Sequence, residues 1–72
     1  MIWMVKNIKD DRVVFKHTKY DRYYVGSFGD CDCKLKLFTT EHLKEARKVL
    51  EATKFHWSGI NVDGWRVVKV LG

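Results

Sequence analysis

One stretch of this chain repeats its apolar residues at helical spacing, and elsewhere they alternate or run together. Leu43, Ala46, Val49, Leu50 and Thr53 fall on one arc at 100° per residue, while Lys44, Glu45, Arg47, Lys48, Glu51 and Lys54 fall on the opposite one. That pattern predicts one amphipathic helix over about Thr40–Lys54. Its expected start is Thr39 as N-cap, with Phe38 and Leu43 at the spacing of a hydrophobic staple. Glu41 in the first turn would complement the helix dipole. A single helix among strand-like segments already constrains the fold class to α+β.

The strand-like segments are legible in the same way. Met1 to Ile8 and Val13 to Thr18 are rich in Ile, Val and aromatic residues, and the Lys9-Asp10-Asp11-Arg12 turn between them predicts a hairpin with a two-residue Asp-Asp loop. Tyr23-Tyr24-Val25 reads as strand again, either a continuation of the second or a third one, and two glycines and an aspartate within Gly26–Asp30 end it. From Cys33 to Phe38 the residues alternate, with Cys33, Leu35 and Leu37 on one side and Lys34 and Lys36 on a basic outer side. Asp63-Gly64 predicts a type I′ hairpin that pairs Ile60–Val62 with Trp65–Val67. The expected architecture is therefore one α+β domain over residues 1–72: an antiparallel sheet of four or five strands with one amphipathic helix packed on one face. Its core should include Val5, Phe15, Leu35, Leu37, Leu43, Ala46, Leu50 and Val68.

Size and charge narrow the function classes. A 72-residue chain buries only roughly 60 % of the surface its unfolded form exposes, so its core is small. Two cysteines make no disulfide framework, and the apolar run Met1–Val5 is too short for a signal peptide or a membrane span. A protein of a reducing cytoplasm, with no membrane partner, is the expectation. The net charge of +5 is spread evenly: residues 1–36 hold 8 basic and 5 acidic residues, and residues 37–72 hold 6 and 4. Any electrostatic partner must therefore meet a folded face rather than a tail.

Motifs for chemistry are sparse. Cys31-Asp32-Cys33 could place two thiolates on a soft metal, with His17, His42 or His56 completing the set, but the spacing is not the C-x2-C of a metal-binding turn. Cys33 reads better as core and Cys31 as a loop thiol. Asp10-Asp11 and Asp30-x-Asp32 sit in turns, where aspartate is favoured for local hydrogen bonding. No nucleophile elbow, no H-E-x-x-H and no phosphate-cradling glycine loop occurs. A domain this small also has little room for a deep, dry pocket above about 300 Å³. The expectation is a protein without enzymatic activity, metal, cofactor or small-molecule substrate.

What the chain has instead is a basic and aromatic cluster: Tyr20, Arg22, Tyr23 and Tyr24, with Lys34 and Lys36 on a nearby strand. Aromatic and arginine side chains anchor protein interfaces, and lysines with exposed rings can also neutralise phosphates and stack bases. Trp57 and Trp65 are the other candidate anchors, although Trp is highly buried on average and both could close the open end of the sheet.

Two resemblances bear on this reading. Arg22-Tyr23-Tyr24-Val25-Gly26-Ser27-Phe28 resembles the strand-to-helix passage of AP2-type DNA-binding domains and of the arm-type domains of phage integrases. It implies a sheet that enters the major groove. The whole chain resembles small uncharacterised proteins of bacteriophages and prophages, through its Trp-bearing first strand, the Tyr-Tyr-Val-Gly strand, and the run from Phe38 to Ala46 into one helix. That likeness implies an accessory factor that docks on a host protein, such as a defence or replication factor, and modulates or inhibits it. The alternative function is a nucleic-acid-binding module that uses the same face.

Overall fold

The computed structural model describes residues 1–27, 34–57, 59 and 61–70. Five strands form one antiparallel sheet: β1 (Ile2–Asn7), β2 (Arg12–His17), β3 (Tyr23–Ser27), β4 (Leu35–Leu37) and β5 (Trp65–Val70). One helix, α1 (Leu43–His56), packs on it over β1 and β5. The α+β class and the single helix are as the periodicities predict. The strand order is β3-β2-β1-β5, with β4 on β2.

Strand β4 is placed by a fork between β1 and β2. These two strands pair at their turn end, where Lys6 lies opposite Val13. Farther along β2, β4 takes the place of β1, with Phe15 opposite Leu37 and His17 opposite Leu35. The Phe38 N–H then donates to the Val14 carbonyl at 2.9 Å, and Thr40 exchanges backbone hydrogen bonds of 2.8 and 3.0 Å with Trp3. Residues 35–40 thus tie the two diverging strands together.

That placement explains the late start of the helix. Thr40 is held in a bridge to β1 and cannot be helical, so α1 begins at Leu43 with His42 as N-cap, and Thr39 caps nothing. The Thr40 hydroxyl accepts the His42 N–H at 3.1 Å and donates to Glu45 at 2.8 Å. The helix also runs on to His56, two residues past Lys54. Ala46, Val49 and Thr53 are its buried residues, and Thr53 satisfies its hydroxyl on the Val49 carbonyl at 2.7 Å. Leu43 and Leu50 lie half-buried at the flank of this arc, so the buried stripe is rotated from the expected one.

The two expected hairpin turns are both different. Between β1 and β2 the loop runs from Ile8 to Asp11, with Asp11 at φ 61° and its N–H on the Asn7 carbonyl at 3.2 Å. Asp63-Gly64 is not a type I′ turn: Val62–Gly64 form a 3-10 turn, and β5 pairs along its whole length with β1. The left-handed residue there is Asn61, at φ 62°. Ile60, Cys31, Cys33, Asp30 and Asp32 lie outside the described residues, so the expectations for them are untouched.

Asn7 decides the second turn. It is fully buried, and its amide donates to the Asn61 carbonyl at 2.8 Å and accepts the Lys9 N–H at 2.9 Å. Gly64 packs directly beneath it, where an added Cβ would overlap the Asn7 amide oxygen and meet Lys9 Cγ at 3.0 Å. Gly64→Ala is therefore expected to cost about 1–3 kcal/mol by overpacking. In an Asn7→Ala background the same substitution should cost distinctly less, because its obstacle is gone. Urea denaturation of the two single variants and the double variant checks this. Additive losses would mean the clash is not what Gly64 avoids.

The core lies on both faces of the sheet. Under the helix, Val5, Val14, Phe38, Val49 and Trp65 form one cluster, with Val25, Leu50, Val62 and Val67 packed against it. On the other face Met4, Val13 and Phe15 form a second, flanked by Leu35, Leu37, Val68 and Val70. Of the expected core, Val5, Phe15 and Ala46 are buried, while Leu35, Leu37, Leu43, Leu50 and Val68 are only half-buried. The two tryptophans divide: Trp65 is fully buried beneath the Arg12 guanidinium, 5.4 Å from the ring centre, and Trp57 is 45 % exposed.

Candidate functional site

Because α1 packs over β1 and β5, the helix-side face of β3 is left partly uncovered. A groove of about 410 Å³ runs there, between β3 and the C-terminal half of α1. Val14, Val25, Val49 and Ala52 supply apolar lining, and Asp21, Arg22, Tyr23, His56 and Trp57 lie around it. Its volume exceeds the 300 Å³ or so expected to be out of reach for so small a domain. Two elements that each bury only one side of themselves leave the space where they diverge.

The expected site residues are split by the pleat. Successive residues of a strand point to opposite faces, so Tyr23 and Tyr24 cannot share one. Tyr23 stands opposite Lys16, which in turn stands opposite Lys36. These three make a row across the helix-side face. Tyr23 packs edge-on against Phe38 with ring centres 5.5 Å apart, and the Lys16 ammonium lies 5.8 Å from the Tyr23 ring. Lys16 also pairs with Asp21 at 3.7 Å.

Tyr24 stands opposite Phe15 and so belongs to the other face, where its ring centre lies 6.4 Å from that of His17. Tyr20 is 62 % exposed and leans on the same histidine at 4.9 Å. His17 Nδ1 accepts the Lys19 and Tyr20 backbone N–H groups at 3.0 and 3.3 Å, which closes the turn that presents Arg22. Lys34 is exposed and gives its carbonyl to the Thr18 N–H at 3.0 Å. The single basic and aromatic face expected from the sequence is therefore two faces. Arg22 and Tyr23 are brought together at the groove, Tyr24 borders it from the other side of β3, and Tyr20, Lys34 and Lys36 are not among its lining residues.

His56 and Ala52 were absent from the expected site. Their signal lies in the helical spacing: Val49, Ala52, Thr53 and His56 share one stripe, and His56 carries it past Lys54. Lys16 and Lys36 also border a smaller concavity of about 320 Å³ with Glu45 beside them. Among the described residues no three His, Cys, Asp or Glu side chains come together as metal ligands, and no helix is long and apolar enough to cross a membrane.

A separate polar cluster holds the β1–β2 loop to the turn before β5. Burial alone would raise the Asp10 pKa, but the Arg12 backbone N–H and guanidinium and the Asn61 amide outweigh it and hold it below the ordinary 3.8. The Asp63 carboxylate is lowered by its hydrogen bond and ion pair with Lys9 at 2.7 Å. Groups with a depressed folded pKa stabilise above the unfolded value, and that share is lost as pH falls through the folded one. The melting temperature should therefore decline as pH drops below about 4. An Asp10→Asn, Asp63→Asn double variant should melt lower at neutral pH and show a shallower acid decline. A decline of unchanged steepness would assign the acid sensitivity to other carboxylates.

The groove is thus an apolar trough with Arg22, Asp21 and His56 and the rings of Tyr23, Tyr24 and Trp57 around it. No protein-family model, no curated protein and no solved structure matches the chain.

Proposed function

We propose that this protein is a non-enzymatic binding module that docks on a partner protein at the groove between β3 and α1, with Arg22, Tyr23 and Trp57 as its anchors. The observation that supports this reading most is the concentration of those three residues around an apolar trough in a domain of this size. Arginine, tyrosine and tryptophan are the residue types that most often carry binding energy at interfaces. The likeness to phage and prophage proteins extends the proposal to the partner: a protein of the host cell, which docking would modulate or inhibit. The nucleic-acid reading has weaker support, because Tyr24 faces the side of the sheet away from Tyr23, Lys16 and Lys36, and Lys16 is engaged by Asp21.

Arg22 is the residue to vary, since Tyr23 also packs against Phe38. With a photo-crosslinking side chain at Ala52, which lines the groove without being one of its anchors, the protein should capture a partner protein from host extract. Arg22→Glu should abolish capture and leave circular dichroism and the melting temperature within a few degrees of wild type. On duplex and single-stranded DNA, fluorescence anisotropy should show no affinity that falls steeply with salt, whereas each phosphate contact on duplex DNA would add about −0.9 to the log–log slope. Such a slope, lost in Arg22→Glu, would replace the proposal with the nucleic-acid reading.

A further inference from the structure

We infer that the groove takes an extended segment of the partner protein, added as a strand to the outer edge of β3, with a carboxylate of that segment on Arg22. The inference rests on the binding-module reading above and specifies the chemistry of the partner.

The backbone of β3 faces in a known direction. His17 donates its N–H to the Arg22 carbonyl at 3.0 Å, and the register sets Tyr24 opposite Phe15 and Gly26 opposite Val13. In an antiparallel ladder the bonding direction alternates from residue to residue. The Arg22 carbonyl and the backbone groups of Tyr24 and Gly26 therefore turn toward β2, and Tyr23 and Val25 turn theirs outward. Among the described residues no strand pairs with that outer edge, since β3 ends the strand order.

Tyr23 and Val25 also line the groove with their side chains. Hydrogen-bonding groups for a partner backbone and a trough for its alternate side chains thus come from the same two residues. This is the arrangement that strand addition uses for affinity and for specificity.

Edge strands are usually protected against such pairing by charge. The other edge strand of the sheet, β5, carries Arg66 and Lys69, and β3, Tyr-Tyr-Val-Gly-Ser, carries none. The charge is next to the strand instead. Arg22 is exposed at the groove mouth, and no side-chain partner for its guanidinium is found among the described residues. Asp21, the acid beside it, is paired with Lys16. An arginine left open beside an edge, on a protein of net charge +5, favours an acidic segment over a second copy of the same cationic chain.

The test selects random linear peptides on the immobilised full chain and follows amide hydrogen exchange of the complexes. Selected peptides should alternate apolar residues and carry an acid. They should slow exchange at the Tyr23 and Val25 amides, and lose roughly tenfold or more in affinity on Arg22→Glu. Lys48→Glu, the same charge change on the exposed side of the helix, should bind as wild type. Peptides that shift groove resonances but leave the Tyr23 and Val25 amides exchanging freely would overturn strand addition and leave the binding-module reading standing. No enriched peptide, or enriched peptides that all bind away from the groove, would overturn both. Protection of those amides in the free protein, rising with concentration alongside a doubled sedimenting mass, would give the edge to a second copy and also overturn the inference.

Discussion

Trp65→Ala is expected to leave the protein largely unfolded at room temperature, while Trp65→Phe should fold. The indole is fully buried between β1 and α1, in one cluster with Val5, Val14, Phe38 and Val49. Truncating a buried Trp to Ala costs about 3–5 kcal/mol, and a domain of this length has only about 5 kcal/mol in all. The comparison with phenylalanine is informative because Nε1 of Trp65 is buried without a hydrogen-bond partner among the described residues. An unsatisfied buried donor costs about 1–3 kcal/mol, so replacing the indole by a benzene ring removes that cost and offsets part of the lost volume. The Arg12 guanidinium, which lies over the indole, keeps an aromatic face in the Trp65→Phe variant only if the smaller ring holds the same plane. Urea midpoints for the two variants decide the matter. A folded Trp65→Ala would show that β5 is held by its ladder to β1 rather than by this side chain.

Phe15→Ala should be nearly as damaging, about 3–5 kcal/mol, although Phe15 lies on the sheet face away from the helix. Phe15 is 2 % exposed and packs with Met4 and Val13, with Leu35, Leu37, Val68 and Val70 around them. If that face were an ordinary solvated one, the substitution would cost well under about 1 kcal/mol. The measured loss therefore tells whether the second cluster is a core in its own right. Val14→Ala, one residue along and on the helix side, offers the internal comparison: a smaller side chain, the opposite face, and an expected loss below that of Phe15→Ala.

Much of the site was legible in the residues, and its assembly was not. Arg22, Tyr23 and Tyr24 stand out as a cluster of anchor types at the start of one strand, and Trp57 stands out beyond the helix. Nothing local says that the end of α1 comes to rest beside β3, because that depends on which strands the helix covers. Tyr23 and Tyr24 part for a simpler reason. Adjacent strand residues point to opposite faces, so neighbours along the chain are separated by the pleat.

The sequence by itself determined the kinds of element, with the strands left at four or five: one helix, because a 3.6-residue period occurs once, and strands elsewhere, because alternation and β-branched runs occur elsewhere. It also held a sign of the two-faced core, since Trp3-Met4-Val5 and Val13-Val14-Phe15 are unbroken apolar runs, as strands buried on both faces require. Only the tertiary structure decided which strands are neighbours. Asp63-Gly64 carries the local signature of a hairpin, yet Gly64 is taken up under the buried Asn7, and β5 pairs with β1 from the opposite end of the chain. Thr39 and Thr40 carry the signature of a helix start, yet Thr40 is bonded to Trp3 across the fork between β1 and β2. Period and propensity describe how a segment would fold against some apolar surface. Which surface it meets depends on long-range backbone pairing, and a few buried polar and glycine contacts settle that pairing here.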